Sequence, residues 1–268
     1  MSETDKVFSG SIPENYDRHM VPLIFESYAR DISQRVAALA PKAVLETAAG
    51  SGVVTRALAP ILPPDARYVA TDLNQPMLDY ARAKQDTDSR IRWQKADAQA
   101  LPFEDAAFDV VCCQFGAMFF PDRPSGYREA RRVLRPGGCF VFNVWDCIEE
   151  NVFADDVTNA LAELFPNDPP RFLARTPHGY HDTALIRSDL AKAGFSDVVI
   201  VTMEAQSRAP SPRHVALAYC QGTPLRNEIE ARGDLEAATD HAASALASRH
   251  GSGEISAKIQ AHVIQARA

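Results

Sequence analysis

The sequence predicts an α/β fold in which a doubly wound, seven-stranded sheet carries helices on both faces. From residue 43 onward, short runs rich in β-branched residues alternate with stretches of helical periodicity, which indicates successive βαβ units. The strand-like runs, such as residues 108–113, are apolar along nearly their whole length. Such runs are typical of parallel strands covered on both faces, and they argue against a sandwich or a barrel.

Each predicted element follows from its local pattern. Apolar residues at helical spacing predict an amphipathic helix over residues 21–39, with Pro22 in its first turn. The Pro-Gly-Gly sequence at 136–138 is expected to close a helix over residues 125–134. The predicted strands cover residues 43–47, 68–71, 91–93, 108–113, 139–144, 198–203 and 259–265, and further helices are predicted up to residue 59, from residue 76, and over 152–164 and 183–192.

The same pattern predicts four segments along the chain. Residues 1–40 are expected to form an N-terminal helical lid, residues 41–206 an α/β core, and residues 254–268 the final core strand. Residues 207–253 are expected to be a helical insertion before that strand, because the segment is rich in alanine, weakly patterned and bounded by Pro and Gly.

The composition limits the classes of partner. The chain has 268 residues, of which 46% are hydrophobic and 24% are charged, enough apolar material for one large core. The formal charge is −7, and no basic run exceeds Arg131-Arg132. Because nucleic-acid affinity depends on a basic surface that releases counterions from phosphates, no nucleic-acid partner is expected.

The cysteines and the apolar stretches predict a cytoplasmic protein. The five cysteines, at 112, 113, 139, 147 and 220, are odd in number and lie mostly in strand-like runs, so we expect buried, reduced thiols. The amino terminus, MSETDKVFSG, lacks the pattern of a signal peptide. The longest apolar stretch, residues 108–120, is short and contains Asp109 and Gln114, so no membrane span is expected.

The sequence VLETAAGSGV, residues 44–53, is a strand that runs into a glycine-containing turn and then a helix. Glycines in such a turn let the backbone approach a ligand closely, and the start of the helix offers unpaired N–H groups. A tight turn with no ligand is the alternative interpretation.

Asp72 ends the next predicted strand, 20 residues after Gly52. A carboxylate at that spacing is suited to accept two hydrogen bonds from the vicinal hydroxyls of a ribose. The alternative is a helix cap or a loop aspartate, although Asn74 is the better candidate for the cap of the helix that follows.

The turn favours an adenosyl ligand over a dinucleotide. A dinucleotide fingerprint needs a third glycine, and this chain has Thr55 in its place. Glu46 stands two residues before the turn, where a carboxylate would repel a pyrophosphate. The same carboxylate is suited to support, directly or through water, the amino group of a methionine tail.

Four segments in this order, VLETAAGSG, VATDLNQPML, KADAQALPFEDAAFDVV and VLRPGG, give the chain a resemblance to a known family. It resembles the class I S-adenosylmethionine-dependent methyltransferases with a Rossmann-like sheet, in the type 11 branch that includes the ubiquinone and menaquinone methyltransferases. The resemblance extends from about Tyr16 to Asp146. It implies S-adenosylmethionine as the cofactor.

The resemblance also implies roles for residues at the ends of the first two strands. Ala48, Ala49 and Gly50 would line the methionine portion of the cofactor. Asp72 would hold the ribose hydroxyls. The family usually has glycine where this chain has Ala48, so the turn must accommodate a Cβ atom there. A turn that could not reach a positive φ at this alanine would indicate a non-catalytic relative.

For the rest of the cofactor the resemblance implies contacts from later segments. Leu73 and Met77 would flank the adenine, and Asp97 and Ala98 would reach its edge, with the carboxylate accepting from the exocyclic amine. The site would be closed by Gln114 and Phe115 after the fourth strand and by Tyr16 on the lid.

The sequence restricts the methyl acceptor to a small molecule. The chain has Cys-Gln-Phe-Gly at 113–116 in place of the D/N-P-P-Y/F sequence of relatives that methylate adenine or glutamine. Aromatic residues and a methionine occur around that turn, on the lid and after the fifth strand. Ordinary core packing would explain most of them, but side chains that faced the site would favour a partly apolar or aromatic acceptor: Phe25, Tyr28, Phe115, Met118, Phe119, Phe120 and Trp145.

Three histidines are candidates for a general base. His19 lies on the predicted lid, and His178 and His181 lie in a proline-rich loop. Histidine can take a proton from a phenol or an acid near neutral pH. The two loop histidines lack a third ligand and a helix that would fix their geometry, so no metal site is expected.

Three functions remain open from the sequence. The first is transfer of a methyl group from S-adenosylmethionine to an O, N or C atom of a small molecule. The second is a non-catalytic module that binds the cofactor and never yields S-adenosylhomocysteine. The third is an NAD(P)-dependent oxidoreductase, which the missing third glycine disfavours.

Overall fold

A computed structural model describes residues 12–85 and 87–268. Seven strands form one doubly wound sheet, as the sequence predicts, and their order is β3-β2-β1-β4-β5-β7-β6. The strands are β1 (Ala43–Glu46), β2 (Arg67–Asp72), β3 (Ile91–Lys95), β4 (Phe108–Gln114), β5 (Leu134–Trp145), β6 (Asp197–Ala209) and β7 (Ile255–Arg267).

Helices precede the first strand and connect most of the others. The described chain begins with α1 (Ile12–Asn15), continues through π-helical turns over Tyr16–Phe25, and enters α2 (Glu26–Ala38). Three helices separate β6 from β7, at the position predicted for the insertion. The remaining helices are α3 (Val53–Leu58), α4 (Gln75–Lys84), α5 (Arg123–Val133), α6 (Val152–Leu164), α7 (Phe172–Arg175), α8 (Thr183–Lys192), α9 (Pro212–Gln221), α10 (Leu225–Glu230) and α11 (Leu235–His250).

The direction of winding reverses at β1, which lies between β2 and β4 and pairs with both in parallel. β3 pairs with β2 and β5 pairs with β4, also in parallel. Ligands of open α/β sheets bind outside the carboxyl ends of the strands at such a reversal. The topology therefore directs attention to the residues that follow β1, β2 and β4.

One face of the sheet packs against α2 and α3. Val44, Val110 and Val141 contribute from the strands, and Ile32 and Leu58 from the helices, to one buried cluster. The strand residues of this cluster alternate along each strand, as the pleat requires. The continuous apolar runs of the sequence therefore reflect burial of the strands.

The first predicted helix is wrong in its boundaries. The first helix does not run uniformly from residue 21, because Pro22 lies inside the π-helical turns, where the N–H of Glu26 donates to the carbonyl of Val21 five residues back. Proline lacks the N–H that an α-helix needs, and wider turns accommodate its absence. The helical region also begins earlier, at Ile12.

The Pro-Gly-Gly sequence at 136–138 does not close a helix but lies inside β5. The pairing of β4 with β5 jumps from Phe108↔Leu134 to Val110↔Cys139, so the extra residues of β5 form a bulge. Gly137, with φ +79°, has the left-handed conformation that a bulge tolerates best in glycine.

β6 and β7 are longer than predicted, at 13 residues each. In β6 the apolar run ends at Met203, but the strand continues with exposed Glu204, Gln206 and Arg208 alternating with less exposed residues. Because polar residues occupy its exposed face, the second half of the strand contains no continuous apolar run by which it could be predicted.

Four of the five cysteines are buried, as the sequence predicts. Cys112, Cys113, Cys139 and Cys220 are buried and free. Cys147 is only partly buried, which corrects the prediction, because it lies in the connection that follows β5.

The chain divides into two compact units. The first contains the chain through Glu26 together with Trp145–Tyr180 and Glu204–Gln260, and includes α6, α9 and α11. The second contains Ser27–Val144, His181–Met203 and Ala261–Ala268, and includes β1 to β4. The predicted lid, residues 1–40, is divided between the units. Within the described residues, no helix is both long and apolar enough to cross a membrane.

Candidate functional site

The turn after β1 is bonded to both neighbouring strands. The N–H of Thr47 donates to the carbonyl of Cys112 in β4, and the N–H of Ala49 donates to the carbonyl of Thr71 in β2, each at 2.9 Å. The N–H of Gly52 then closes the turn onto the carbonyl of Ala49, also at 2.9 Å. The turn is therefore held at the carboxyl edge where the winding of the sheet reverses.

Ala48 has the backbone conformation that the family achieves with glycine. Its φ is +53°, next to Gly50 at +56°. A left-handed conformation costs a residue with a Cβ atom about 1–2 kcal/mol. Gly116 provides the space for this Cβ, because a Cβ built on Gly116 would lie 2.4 Å from that of Ala48. The condition that would have indicated a non-catalytic relative is therefore not met.

A double-mutant cycle tests this packing. We expect Ala48→Gly to raise the free energy of unfolding by up to about 1 kcal/mol, because strain is relieved. Gly116→Ala should lower it by about 1–3 kcal/mol through overpacking. In the Ala48→Gly background the second change should cost less, with the clash against Cys113 Sγ at 2.8 Å remaining. Urea unfolding measures all four proteins, and additive effects would contradict the contact.

Asp72 joins the turn to the start of α4. Its Oδ2 accepts from the N–H of Gly50 at 2.9 Å, and its Oδ1 accepts from the N–H of Asn74 at 2.8 Å. The carboxyl is 7% exposed, and this burial raises its pKa above the usual value, against the opposing effect of the backbone N–H groups. A carboxylate has about four acceptor positions, so these bonds leave capacity for a ligand.

Asn74, the predicted cap of α4, does not cap the helix with its side chain. Asn74 occupies the N-cap position, but its side chain caps no N–H of the helix. Its Nδ2 instead donates to Asp72 Oδ1 at 3.4 Å. The carboxylate thus holds the amide through its donor group, while a cap would use the amide oxygen as the acceptor.

Glu46 is buried beneath the turn in a hydrogen-bonded group. Its Oε2 accepts from the hydroxyls of Thr55 and Tyr68, each at 2.5 Å. Burial raises the pKa of Glu46 to about 7, although both hydroxyls favour the ionised form. Thr55 stands where a dinucleotide fingerprint has its third glycine, and here its side chain holds Glu46 instead.

The residues assigned to adenine follow β2 and β3. Leu73 is 44% exposed, an unusual state for a large apolar side chain next to a buried carboxylate. Met77 is buried, with its Cε 3.7 Å from the position of a Cβ on Gly50. Asp97 is exposed and accepts from the N–H of Gln99 at 2.9 Å, and Ala98 follows it in the same loop.

The end of β4 holds a second strained residue. Phe115 has φ +49°, which is a genuine outlier for a bulky side chain. Its N–H is shared between the backbone carbonyl of Asn143 at 3.2 Å and Asn143 Oδ1 at 2.9 Å. Its ring lies edge-on to Tyr28, with centroids 5.4 Å apart. Backbone strain of this kind clusters at ligand sites.

Asn143 is a site residue that the sequence analysis missed. It lies in β5, fully buried, at the register position of Gln114. The signal was present as a single amide in the apolar run CFVFNVW, residues 139–145. A buried polar residue in a central strand requires a partner.

The other candidates lie in different parts of the chain. Tyr16 stacks on Phe25 in the first unit, with ring centroids 5.0 Å apart. His19 lies edge-on to His214 at 4.8 Å, and burial, His214 and Arg18 together lower the pKa of His19. All the other predicted cofactor residues lie in the second unit.

The two loop histidines differ in burial. His178 is buried, and its Nδ1 lies 2.9 Å from the carbonyl oxygen of Asp146, so that nitrogen carries a proton. His181 is exposed in the connection before α8. In the described part of the chain, no three His, Cys, Asp or Glu side chains are grouped to hold a metal ion.

Comparison with known proteins adds sequence similarity to this geometry. Residues 45–142 match the methyltransferase domain family. A demethylmenaquinone methyltransferase of Clavibacter sepedonicus is 38% identical over 175 residues, which cover 62% of this chain and 70% of that protein. An uncharacterised protein of Mycobacterium tuberculosis is 38% identical over 105 residues, covering 39% of this chain and only 37% of the relative's length.

A solved structure shows the same fold. Phosphoethanolamine N-methyltransferase 2 of Haemonchus contortus, in complex with S-adenosylmethionine, aligns with a TM-score of 0.58 at 17% identity. The alignment covers 95% of this chain and 56% of that one. The predicted Rossmann-like methyltransferase sheet is confirmed. The chain therefore belongs to the methyltransferase family that includes the demethylmenaquinone methyltransferases.

Proposed function

We propose that the chain binds S-adenosylmethionine at the carboxyl edge of β1, β2 and β4 and transfers its methyl group to a small molecule. The observation that supports this most is the buried carboxylate of Asp72, which is bonded to Gly50 of the turn and to the start of α4. A carboxylate there is suited to the two hydroxyls of a ribose.

The residues at this edge fit the cofactor. Leu73 offers an exposed apolar side chain for the adenine ring beside a buried carboxylate. The residues of the second unit that would hold the cofactor are Glu46, Ala48, Ala49, Gly50, Asp72, Leu73, Met77, Asp97, Ala98 and Phe115. Gln114 ends β4 beside them, and its Oε1 is a buried acceptor with no hydrogen-bond partner in the part of the chain that the structure describes, so it is available to the methyl acceptor.

Glu46 would contribute one oxygen of its side chain to the cofactor site. Its Oε2 is taken by two hydroxyl groups, and its Oε1 accepts from no described residue. Through that second oxygen, directly or through water, Glu46 would support the ammonium group of the methionine portion. Thr55 stands where a pyrophosphate site needs its third glycine, and its hydroxyl donates to Glu46. Both facts argue against binding of a pyrophosphate and therefore against NAD(P).

When bound, the cofactor supplies a methyl group on a positively charged sulfur. The work of the chain is to hold an acceptor atom in line with that carbon and to exclude water. A general base is needed only for an acceptor that must lose a proton. Of the candidate histidines, His19 has a pKa that burial, His214 and Arg18 lower, which favours the neutral form that can accept a proton.

The acceptor is expected to be small and partly apolar or aromatic. The relative from Clavibacter sepedonicus is named for demethylmenaquinone, an acceptor of that character. The edge-on pair of Tyr28 and Phe115 beside the end of β4 supports the same class. Tyr28 is itself fully buried, with its hydroxyl donating to the carbonyl of Met203, so it serves packing as well.

A labelled-methyl assay tests this function. The protein is incubated with labelled S-adenosylmethionine and a panel of phenols, carboxylates, amines and quinone precursors. We expect at least one acceptor to gain the label, with formation of an equal amount of S-adenosylhomocysteine. Binding of the cofactor without S-adenosylhomocysteine from any acceptor would instead identify a non-catalytic module.

A further inference from the structure

We propose that Gln114 and Asn143 form a paired amide subsite that binds the methyl acceptor through adjacent hydrogen-bond donor and acceptor groups. This inference rests on the proposed function and names the acceptor chemistry of that same site. Asn143 Nδ2 is a buried donor, and Gln114 Oε1 a buried acceptor, and neither has a partner among the described residues. An unpaired buried polar group is costly, so two of them side by side point to a ligand.

The orientation of the Asn143 amide follows from its neighbour. The N–H of Phe115 needs an acceptor, and Asn143 Oδ1 lies 2.9 Å from that nitrogen. Turning the amide over would place Nδ2 against another donor. The network therefore directs Nδ2 away from Phe115 and leaves it as the unpaired donor.

The register of the sheet places the two amides together. Gln114 and Asn143 are Cα partners in the parallel pairing of β4 with β5. Paired residues of neighbouring strands project from the same face, with strands roughly 4.8 Å apart. The two side chains are thus neighbours at the carboxyl edge. On this face of each strand, the residues that precede the amide are apolar.

The order of the strands assigns this pair to the acceptor. Asp72 ends β2, the glycine turn follows β1, and β4 and β5 come next on the far side. At roughly 4.8 Å per strand, Asn143 lies on the order of 10 Å from β1 and farther still from β2. Ribose and methionine would lie at the ends of β2 and β1, so the amide pair lies on the opposite side of β1 from the ribose.

The hydrogen-bonding pattern defines the ligand class. An oxygen that accepts beside a nitrogen that donates is complementary to a group with N–H or O–H next to a carbonyl oxygen. A lactam, a carboxamide or an enolic hydroxy-carbonyl presents that edge. Phe115, which follows Gln114 in the chain, lies edge-on to Tyr28, and this pair of rings favours an attached aromatic body.

Equilibrium binding of three matched probes tests the pair. The protein is first saturated with S-adenosylhomocysteine, whose affinity is measured for every variant, and each probe is then titrated by protein-observed NMR. The probe 2-quinolone carries the complete edge, N-methyl-2-quinolone lacks the N–H donor, and quinoline lacks both the N–H donor and the carbonyl. We expect the complete edge to bind at least about tenfold more tightly than either analogue, the scale of one unpaired buried hydrogen-bonding group.

The variants separate recognition from structure. Asn143→Asp, assayed at pH 8, retains an acceptor for the N–H of Phe115 but loses the donor, and should reduce 2-quinolone binding about tenfold. Gln114→Glu retains the acceptor oxygen and should keep the preference for 2-quinolone over its N-methyl analogue, whereas Gln114→Met should abolish it.

The outcomes are distinguishable. Equal binding of the three probes, no binding of 2-quinolone, or full binding by Asn143→Asp would overturn the paired subsite while leaving cofactor binding intact. Failure of S-adenosylhomocysteine to bind the wild-type protein would instead contradict the proposed function.

Discussion

Replacing Asp72 with alanine is expected to weaken binding of S-adenosylmethionine at least about tenfold, the scale of a lost charge-assisted hydrogen bond of about 1.5–3 kcal/mol. The change removes the acceptor for the ribose hydroxyls. It also removes the carboxylate that holds the N–H groups of Gly50 and Asn74, so the turn and the start of α4 lose their connection. Isothermal titration calorimetry measures the affinity.

The matched control is Asp79→Ala on the exposed surface of α4. Asp79 has the same charge and, among the described residues, accepts from Gln75 Nε2 of its own helix, at 2.9 Å. We expect this variant to bind the cofactor as the wild type does, which separates a general loss of negative charge from the loss of one carboxylate. Unchanged affinity in Asp72→Ala would rule out our placement of the ribose.

Glu46→Gln is expected to remove a large pH dependence of stability. In the folded protein burial raises the pKa of Glu46 to about 7, from its ordinary value of 4.5. The folded state therefore holds a proton that the unfolded state releases, and the wild type loses stability as the pH rises from 4.5 through 7. The loss approaches about 3 kcal/mol, at about 1.4 kcal/mol per pH unit.

Glutamine cannot release that proton. Its Oε1 can still accept from Thr55 and Tyr68, so the variant should retain most of the packing. Chemical unfolding of both proteins between pH 4.5 and 8 gives the difference in unfolding free energy, in which other titrating groups such as Asp72 largely cancel. As the pH rises, the unfolding free energy of the variant should increase relative to that of the wild type. Unfolding free energies that change with pH in parallel would show that Glu46 is ionised throughout this range.

The sequence predicts elements best where local signals determine them. α6 and α8 have the predicted bounds, and α8 begins at a cap where Asp182 accepts from the N–H groups of Ala184 and Leu185. Prediction fails where distant pairing decides. A Pro-Gly-Gly sequence commonly ends a helix, but residues 136–138 lie within β5 because this strand pairs with β4.

The candidate site divides in the same way. The spacing of Gly52 and Asp72 suffices to predict a carboxylate beside the glycine turn, because both follow neighbouring strands. The role of Gly116 depends on which residues meet across the sheet, so no local pattern reveals it. For Asn143 the sequence shows an amide inside an apolar run, but its bond to the N–H of Phe115 depends on the same pairing. Thr55 shows a third case: its difference from glycine was visible in the sequence, but its bond to Glu46 was not.

A crystal structure of the protein with S-adenosylhomocysteine tests the central claim most directly. Our account predicts that both ribose hydroxyls lie within hydrogen-bond distance of the Asp72 carboxylate, with the adenine against Leu73 and the methionine portion at the turn that contains Ala48 and Gly50. Density for the ligand at any other place, or a ribose bound by groups other than Asp72, would contradict it.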